Sequence, residues 1–393
     1  MRSLLTQHYP GELSIILVDD HSTDGTATVA QQVAQQVSQY LSQETFQEIV
    51  QEAGQPETPQ PEIPQPVPQE RAQQVSHESS QHVIQENVPL TVLKAKPLPS
   101  GWTGKLWALE QGTQKAMAQT PCPDYILLTD ADIDHDTLNL QRLVTKARSL
   151  NLDLASVMVR LRCESVWEQS LIPAFVFFFQ KLYPFRWVNI PHHPTAAAAG
   201  GCILIRPTAL KRIGGISAIR DALIDDCTLA HVVKWGKQKE PSNIQNPKSK
   251  IQHPNTPPYP IWLGLSTHTR SLRPYPSLKS IWDMVARTAY TQLHYSPLLL
   301  VGTLGGMVLV YLIPIIGLPW AILTHQWWGA IASLLTWGLM AIAYSPSIRF
   351  YQCPIWFAFC LPGVALLYTL MTLDSALRYW RGQGGQWKGR TYS

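Results

Sequence analysis

LSIILVDDHSTDGT (13–26) opens with a largely apolar run, Leu13 to Val18, and stops on two carboxylates, Asp19 and Asp20. A short apolar run bounded by turn-forming residues reads as a buried strand. The Ser/Thr/Asp/Gly turn that follows leads into Thr26-Ala27-Thr28-Val29-Ala30, which resembles a helix start. YILLTDADID (125–134) repeats the pattern: the run Tyr125 to Thr129 ends on Asp130 and Asp132. Leu154 to Val159 and Gly201 to Ile205 are further runs of strand type. Strands alternating with helical stretches predict an α/β domain with a mostly parallel sheet and helices on both faces. Ligands of such sheets bind beyond the carboxyl ends of the strands, where both acidic clusters fall.

Composition divides the chain into five parts. Residues 1–34 read as the start of the α/β domain, and 91–296 as its remainder. Between them, 35–90 is dominated by Gln, Glu and Pro, with Pro56, Pro59, Pro61, Pro64, Pro66 and Pro68 closely spaced. Such a stretch buries too little apolar surface to offset its ordering entropy, so a disordered surface insertion is expected. Ser165 to Trp187 is rich in Phe, Trp, Leu and Tyr, and its apolar run Phe175-Val176-Phe177-Phe178-Phe179, flanked by Pro173 and Lys181, is too short to span a bilayer. It reads either as an interfacial helix or as a buried core helix.

Residues 297–377 carry three long uncharged runs: Pro297 to Trp320, Trp327 to Tyr344 and Pro354 to Leu373. Each approaches the roughly 20 residues that cross a hydrocarbon core. Trp320, Trp327, Trp328 and Trp356 near their ends suit an aromatic belt. Three crossings would put the tail, 378–393, on the side opposite the α/β domain. That tail carries Arg378, Arg381, Lys388 and Arg390 and no acid, which favours the cytoplasmic side. One segment is therefore a candidate for a re-entrant or interfacial course, and Pro354 and Pro362-Gly363 single out the third.

The formal net charge is +4 and only 15% of residues are charged, as suits a chain partly covered by lipid. Its basic residues are scattered, not striped, so a nucleic-acid partner is not expected. Six cysteines, Cys122, Cys163, Cys202, Cys227, Cys353 and Cys360, include no C-x-x-C pair, and they read as reduced and structural. Met1 to Glu12 lacks the apolar core of a secretory signal. His192-His193 lies among prolines without a neighbouring acid and reads as loop.

Three acidic clusters carry the chemistry. Asp19 and Asp20 suit recognition of ribose or base groups, while helix N-capping accounts equally for acids in such a turn. Asp130 and Asp132, two positions apart past a strand end, can share one divalent cation that neutralises a diphosphate. A calcium loop would need Gly and Glu where His135 and Gln141 stand. Asp225 and Asp226, in ALIDDCTLA (222–230), offer a general base for an acceptor hydroxyl, or else a helix N-terminal acid pair.

In this order the clusters resemble family 2 glycosyltransferases of the A-type, Rossmann-like fold, above all the hopene-associated branch, which is similar to ceramide glucosyltransferases. The matching pieces are VDDHSTDGT (18–26), GWTGKLWAL (101–109), LLTDADI (127–133), AAGGCILIRPTALKRIGG (198–215), ALIDDCTLA (222–230) and RYWRGQGGQWKGR (378–390). The resemblance implies that Asp19 and Asp20 contact the nucleoside of a nucleotide-sugar donor, and that Lys105 belongs to the donor site. It implies that Asp132, with Asp130, meets a divalent cation (Mg²⁺ or Mn²⁺) and the diphosphate. Gly200 and Gly201 would lie on the acceptor side, and Asp226, beside Asp225, would be the catalytic base. Arg287 corresponds to the arginine of the family's Gln-x-x-Arg-Trp element, although Val-Ala-Arg-Thr-Ala around it does not match, and processive synthesis is not expected.

The implied activity is single-step, inverting transfer of a sugar to a lipid acceptor, with a hopanoid suggested. Its implied location is a bacterial inner membrane, with the catalytic domain cytoplasmic. Relatives of the branch begin with a membrane span and a strand bearing Pro-Ala-Arg-Asn/Asp-Glu. That motif does not occur here, and Met1-Arg2-Ser3-Leu4 reads as the helix after that strand. The expectation is a domain truncated at its N-terminus, either active or a catalytically dead membrane homologue with an interaction role.

Overall fold

The computed structural model describes residues 1–53, 88–236, 258–383, 386–387 and 390–391. It divides into two compact units, one of Met1–Lys96 with His135–Thr145 and one of Pro97–Asp134 with Lys146–Ser393. The centre of the expected disordered insertion, 54–87, lies outside the described residues.

The first unit contains α1 (Arg2–Leu5), β1 (Ile15–Asp19), α2 (Thr26–Ala53) and β2 (Leu90–Lys94). β1 and β2 pair in parallel, from Ile15 opposite Leu90 to Asp19 opposite Lys94. Leu5, Val37, Leu41 and Val88 form the core beneath them. The helix begins where the sequence places it but runs on to Ala53, well past the expected boundary at residue 35. Gln, Glu and Ala are good helix formers, and Val33, Val37 and Leu41, four residues apart, provide an apolar stripe to bury.

The second unit begins with α3 (Gly104–Met117), β3 (Ile126–Thr129) and β4 (Ile133–Asp134). The division between the units falls within α4 (Asn139–Ser149). Then come β5 (Leu154–Arg160), α5 (Val166–Leu182), α6 (Phe185–Val188), β6 (Cys202–Ile205), α7 (Pro207–Ile213) and α8 (Asp225–Trp235). They are followed by β7 (Ile261–Ser271) and α9 (Leu278–Gln292).

Five of these strands form one sheet in the order β3-β6-β5-β7-β4. Only β5 and β7 run in parallel; β3–β6, β5–β6 and β4–β7 are antiparallel. The expected mostly parallel sheet is thus a mixed one. The excursion through α5 and α6 leaves β5 and returns to β6 at the same end of the sheet, which forces the two strands to oppose each other. β6 is buried throughout and β5 for six of its seven residues, as continuous apolar strands covered on both faces must be.

Past α9 the chain forms α10 (Pro297–Met307), α11 (Ile313–Leu323), α12 (Trp327–Phe350) and α13 (Leu361–Trp380), with short β8 (Gln386–Trp387) and β9 (Arg390–Thr391) in the tail. Three helical segments, Pro297–Leu323, Trp327–Phe350 and Ile355–Trp380, are long and apolar enough to cross a membrane. At 1.5 Å per residue they reach roughly 36–40 Å, against a hydrocarbon core of about 30 Å. Leu298, Leu335, Ile342 and Trp328 are exposed on them, the last at 86%. A contiguous apolar surface of this kind is stable against lipid and not against water. Pro354 precedes a 3₁₀ turn, Ile355–Cys360, and Pro362 sits in the first turn of α13, where no N–H is missed.

α5 is fastened at its start by a capping box between Ser165 and Glu168. Its inner face buries Leu171, Ala174 and Phe177 against Ile281 and Val285 of α9 and against Tyr344, Ile348 and Val364 of the apolar helices. The Tyr368 hydroxyl donates to the Leu171 carbonyl at 2.9 Å. The aromatic run is therefore core on one face, while Val166, Trp167 and Leu182 are exposed.

Candidate functional site

In the second unit, Thr129 at the end of β3 faces Cys202 at the start of β6, so Asp130 and the Gly200-Gly201 loop share one end of the sheet. α3 opens at that end: the Thr103 hydroxyl oxygen accepts from the Leu106 N–H, and this cap sets Lys105 in the first turn. Its Nζ lies 3.0 Å from Asp130 Oδ1 and 3.0 Å from Asp225 Oδ2. Asp225 and Asp226 form the first turn of α8, where the macrodipole favours negative charge. Asp226 Oδ2 accepts the Gly200 N–H at 2.9 Å and Oδ1 the Cys227 N–H at 2.8 Å. Acids about a hundred positions apart thus meet at one ammonium.

The two glycines are there because the approach is close. A Cβ on Gly200 would lie 3.2 Å from Lys105 Nζ and 3.4 Å from Asp226 Oδ2. One on Gly201 would lie 3.2 Å from both Ile133 Cδ1 and Val159 Cγ2. Gly200 touches the acid and the lysine directly; Gly201 packs on the apolar side and gives its carbonyl to the Thr129 hydroxyl at 2.9 Å. A small cavity opens here, walled by these polar groups and by Leu106, Leu128 and Ile203.

Burial and the neighbouring Asp225 charge push Asp226 up to about 6, against the pull of Lys105 and of the Cys227 and Gly200 N–H groups. Burial also raises Asp130, outweighing Lys105, with Asp225 and Asp132 adding repulsion. For Lys105 burial opposes the charged form, but Asp225, Asp130 and Asp226 together hold it above the usual lysine range. Arg287, on α9, is lowered by burial and by Arg273, while Tyr275, Asp225 and Asp226 draw it back. Arg287 is thus within electrostatic reach of the acid pair.

Two groups near this site carry no sequence signal. Tyr183, just past α5, donates its hydroxyl to Gln292 Oε1 at 2.6 Å, and burial raises it with help from Cys227 and Asp226. Burial also raises Tyr275, beside Arg273, Asp132 and Arg287. Each is brought in by an element remote in sequence, so no local pattern marks it.

Among the described residues no three His, Cys, Asp or Glu side chains converge as a self-contained metal cage. Asp130 and Asp132 nonetheless repel each other, and Asp130 already shares Lys105. Mg²⁺ commonly takes one or two carboxylates and completes its shell with phosphate and water. The pair fits a divalent cation brought with a diphosphate; it does not fit one held by protein alone. The alternating acids beyond it are committed elsewhere, Asp134 to Arg270 at 3.1 Å and Asp136 to Arg142.

In the first unit, Asp19 and Asp20 stand at the carboxyl end of β1. Asp19 Oδ1 accepts the Ser22 N–H at 3.0 Å as well as the Ser22 hydroxyl, and these bonds hold its carboxyl below the usual range. His21 takes the left-handed conformation, φ 58°, with Nδ1 3.5 Å from Asp20 Oδ1. Asp24 Oδ1 accepts the Thr26 N–H at 3.0 Å, an Asx turn just ahead of α2. Turn duties thus occupy Asp19 and Asp24, while Asp20 keeps a side chain 37% exposed. No family model and no curated protein matches the chain.

Proposed function

We propose that the chain is a membrane-bound inverting glycosyltransferase that moves a sugar from a nucleotide donor to a lipid hydroxyl. The observation that carries this reading is the convergence of Asp130, Asp225 and Asp226 on Lys105, with Asp226 pushed up to about 6. A general base works best with a pKa near the operating pH. Burial and Asp225 bring Asp226 nearer to that range than an ordinary carboxylate. The A-type glycosyltransferase fold and the hopanoid acceptor rest on the resemblance, as do the bacterial inner membrane and the nucleoside-contacting role of Asp19 and Asp20.

In this mechanism the acceptor oxygen attacks the anomeric carbon while Asp226 takes its proton. Both Asp226 oxygens accept one N–H each, which fixes the carboxylate and leaves lone pairs for that proton. The bond from sugar to diphosphate breaks on the opposite face, inverting the centre. Lys105 and Arg287 offset the charge that the leaving diphosphate gains. A divalent cation held by Asp130, Asp132 and the diphosphate would add Lewis-acid stabilisation of the same charge. The apolar segments give the acceptor a surface on which to dwell.

Membranes carrying the chain, supplied with a panel of radiolabelled nucleotide sugars, are expected to pass label from one of them into the lipid extract. No label from any donor, with the chain folded and present, contradicts the reading. That outcome would favour a second one, a catalytically dead membrane homologue. Its support is the arrangement of the strands in a two-stranded and a five-stranded mixed sheet instead of one mostly parallel sheet.

A further inference from the structure

Two of the six cysteines, 190 positions apart, face each other: Cys163 Sγ and Cys353 Sγ are 3.7 Å apart. Cys163 follows β5, and Cys353 lies between α12 and the 3₁₀ turn that opens the third apolar segment; both are half-buried. The backbones that carry them are already fastened. Arg160 Nη2 donates to the Tyr351 carbonyl at 3.0 Å, and the Leu161 N–H donates to the Tyr351 hydroxyl at 3.3 Å. The Cys353 N–H donates to the Ile348 carbonyl at 3.0 Å. Bringing the sulfurs to a bonded separation of about 2.05 Å needs a closure of only about 1.7 Å.

The thiolate is the nucleophile in thiol oxidation. Arg160, hydrogen-bonded to the Tyr351 carbonyl two positions before Cys353, sets a positive charge beside that thiol and favours its ionised form, which makes Cys353 the attacking sulfur of the pair.

We propose that Cys163 and Cys353 form an oxidation site for hydroperoxides that closes to a disulfide between the β5–α5 and α12–α13 connections. The Cys353 thiolate attacks the terminal peroxide oxygen; an S–O bond forms, the O–O bond breaks, and the departing oxyanion takes a proton to leave as alcohol or water. Cys163 sulfur then attacks the sulfenic sulfur. The S–S bond forms, the S–O bond breaks, and the hydroxide leaves as water with the Cys163 proton. Two thiols are oxidised by two electrons and one peroxide is reduced. The inference does not depend on the transferase reading.

The full chain in detergent or nanodiscs, treated with hydrogen peroxide and then alkylated, tests it. Alkylatable thiols are expected to fall from six to four, with a 163–353 cross-linked peptide that dithiothreitol reverses. Cys163→Ser is expected to leave Cys353 as a sulfenic acid that a dimedone-type reagent traps. In Cys353→Ser all five remaining thiols are expected to stay alkylatable. Six alkylated thiols after peroxide, a bridge involving another cysteine, or a bridge only between molecules would overturn the proposal.

Discussion

Asp226 sits between two demands: burial and Asp225 favour its neutral form, Lys105 and two backbone N–H groups its charged form. As the base, it must be ionised to act. Transfer is therefore expected to hold above pH 6 and to fall about tenfold per pH unit below it, read from the initial rate at fixed donor. A flat profile down to pH 5 would remove Asp226 from that role. Gly200→Ala places a methyl against Lys105 Nζ and Asp226 Oδ2. The lysine end can shift, so the fold should survive, as circular dichroism would record. The carboxylate cannot shift without loosening the Gly200 N–H bond, so transfer should drop by at least about tenfold. Of these residues, the acids were legible in the sequence because each follows an apolar run or opens a helix. Lys105 was legible only through the likeness of GWTGKLWAL to a known pattern, and Tyr183 and Tyr275 not at all, since α5 and the loop before α9 deliver them from far away.

Among the elements, α5 depends on one buried carboxylate. Glu168 is fully buried and accepts N–H bonds from Glu164, Ser165 and Tyr275 at 2.7–2.8 Å. Burial works against its charge, but the Ser165, Tyr275 and Glu164 donors and Arg162 outweigh it and lower its pKa below the ordinary 4.5. A carboxylate with a depressed folded pKa stabilises above its unfolded value and loses that contribution as pH falls through the folded one. Glu168→Gln is expected to cost about 2–3 kcal/mol at pH 7, with the difference shrinking toward pH 3, measured by thermal unfolding in detergent. Equal melting temperatures at neutral pH would contradict this. β1, β3, β5 and β6 were legible within a residue or two because their runs are continuously apolar. β2 borders the polar insertion, and β7 carries Ser266, Thr267, His268, Thr269 and Arg270 in its second half. Neither has the local pattern of a buried strand, and both were missed. The parallel sense was also misjudged, because strand direction depends on where α5 and α6 return the chain.

For the molecule as a whole, both ends of the third apolar segment touch elements that precede the first. At its start, Tyr351 and Cys353 adjoin Arg160 and Cys163. At its end, Trp282 Nε1 donates to Asp374 Oδ2 at 2.7 Å, and Arg378 pairs with Asp283 at 2.9 Å and with Asp374 at 2.7 Å. A helix whose two ends meet α9 and the β5–α5 connection keeps Arg378, at the start of the basic tail, beside elements that precede the apolar segments, in accord with the tail's charge. A reporter fused at Ser393 is expected to share the compartment of one fused at Met1; opposite compartments would require three full crossings.

Wild type and Asp226→Asn in the same membranes, each assayed for sugar transfer to lipid and for nucleoside diphosphate binding, decide whether Asp226 is the proton acceptor. Transfer is expected to fall by about a thousandfold or more with the dissociation constant changed by less than about threefold, because the amide takes no proton and keeps one of the two backbone N–H bonds, while Lys105 keeps Asp130 and Asp225. Unchanged transfer, or binding lost together with transfer, would contradict that role.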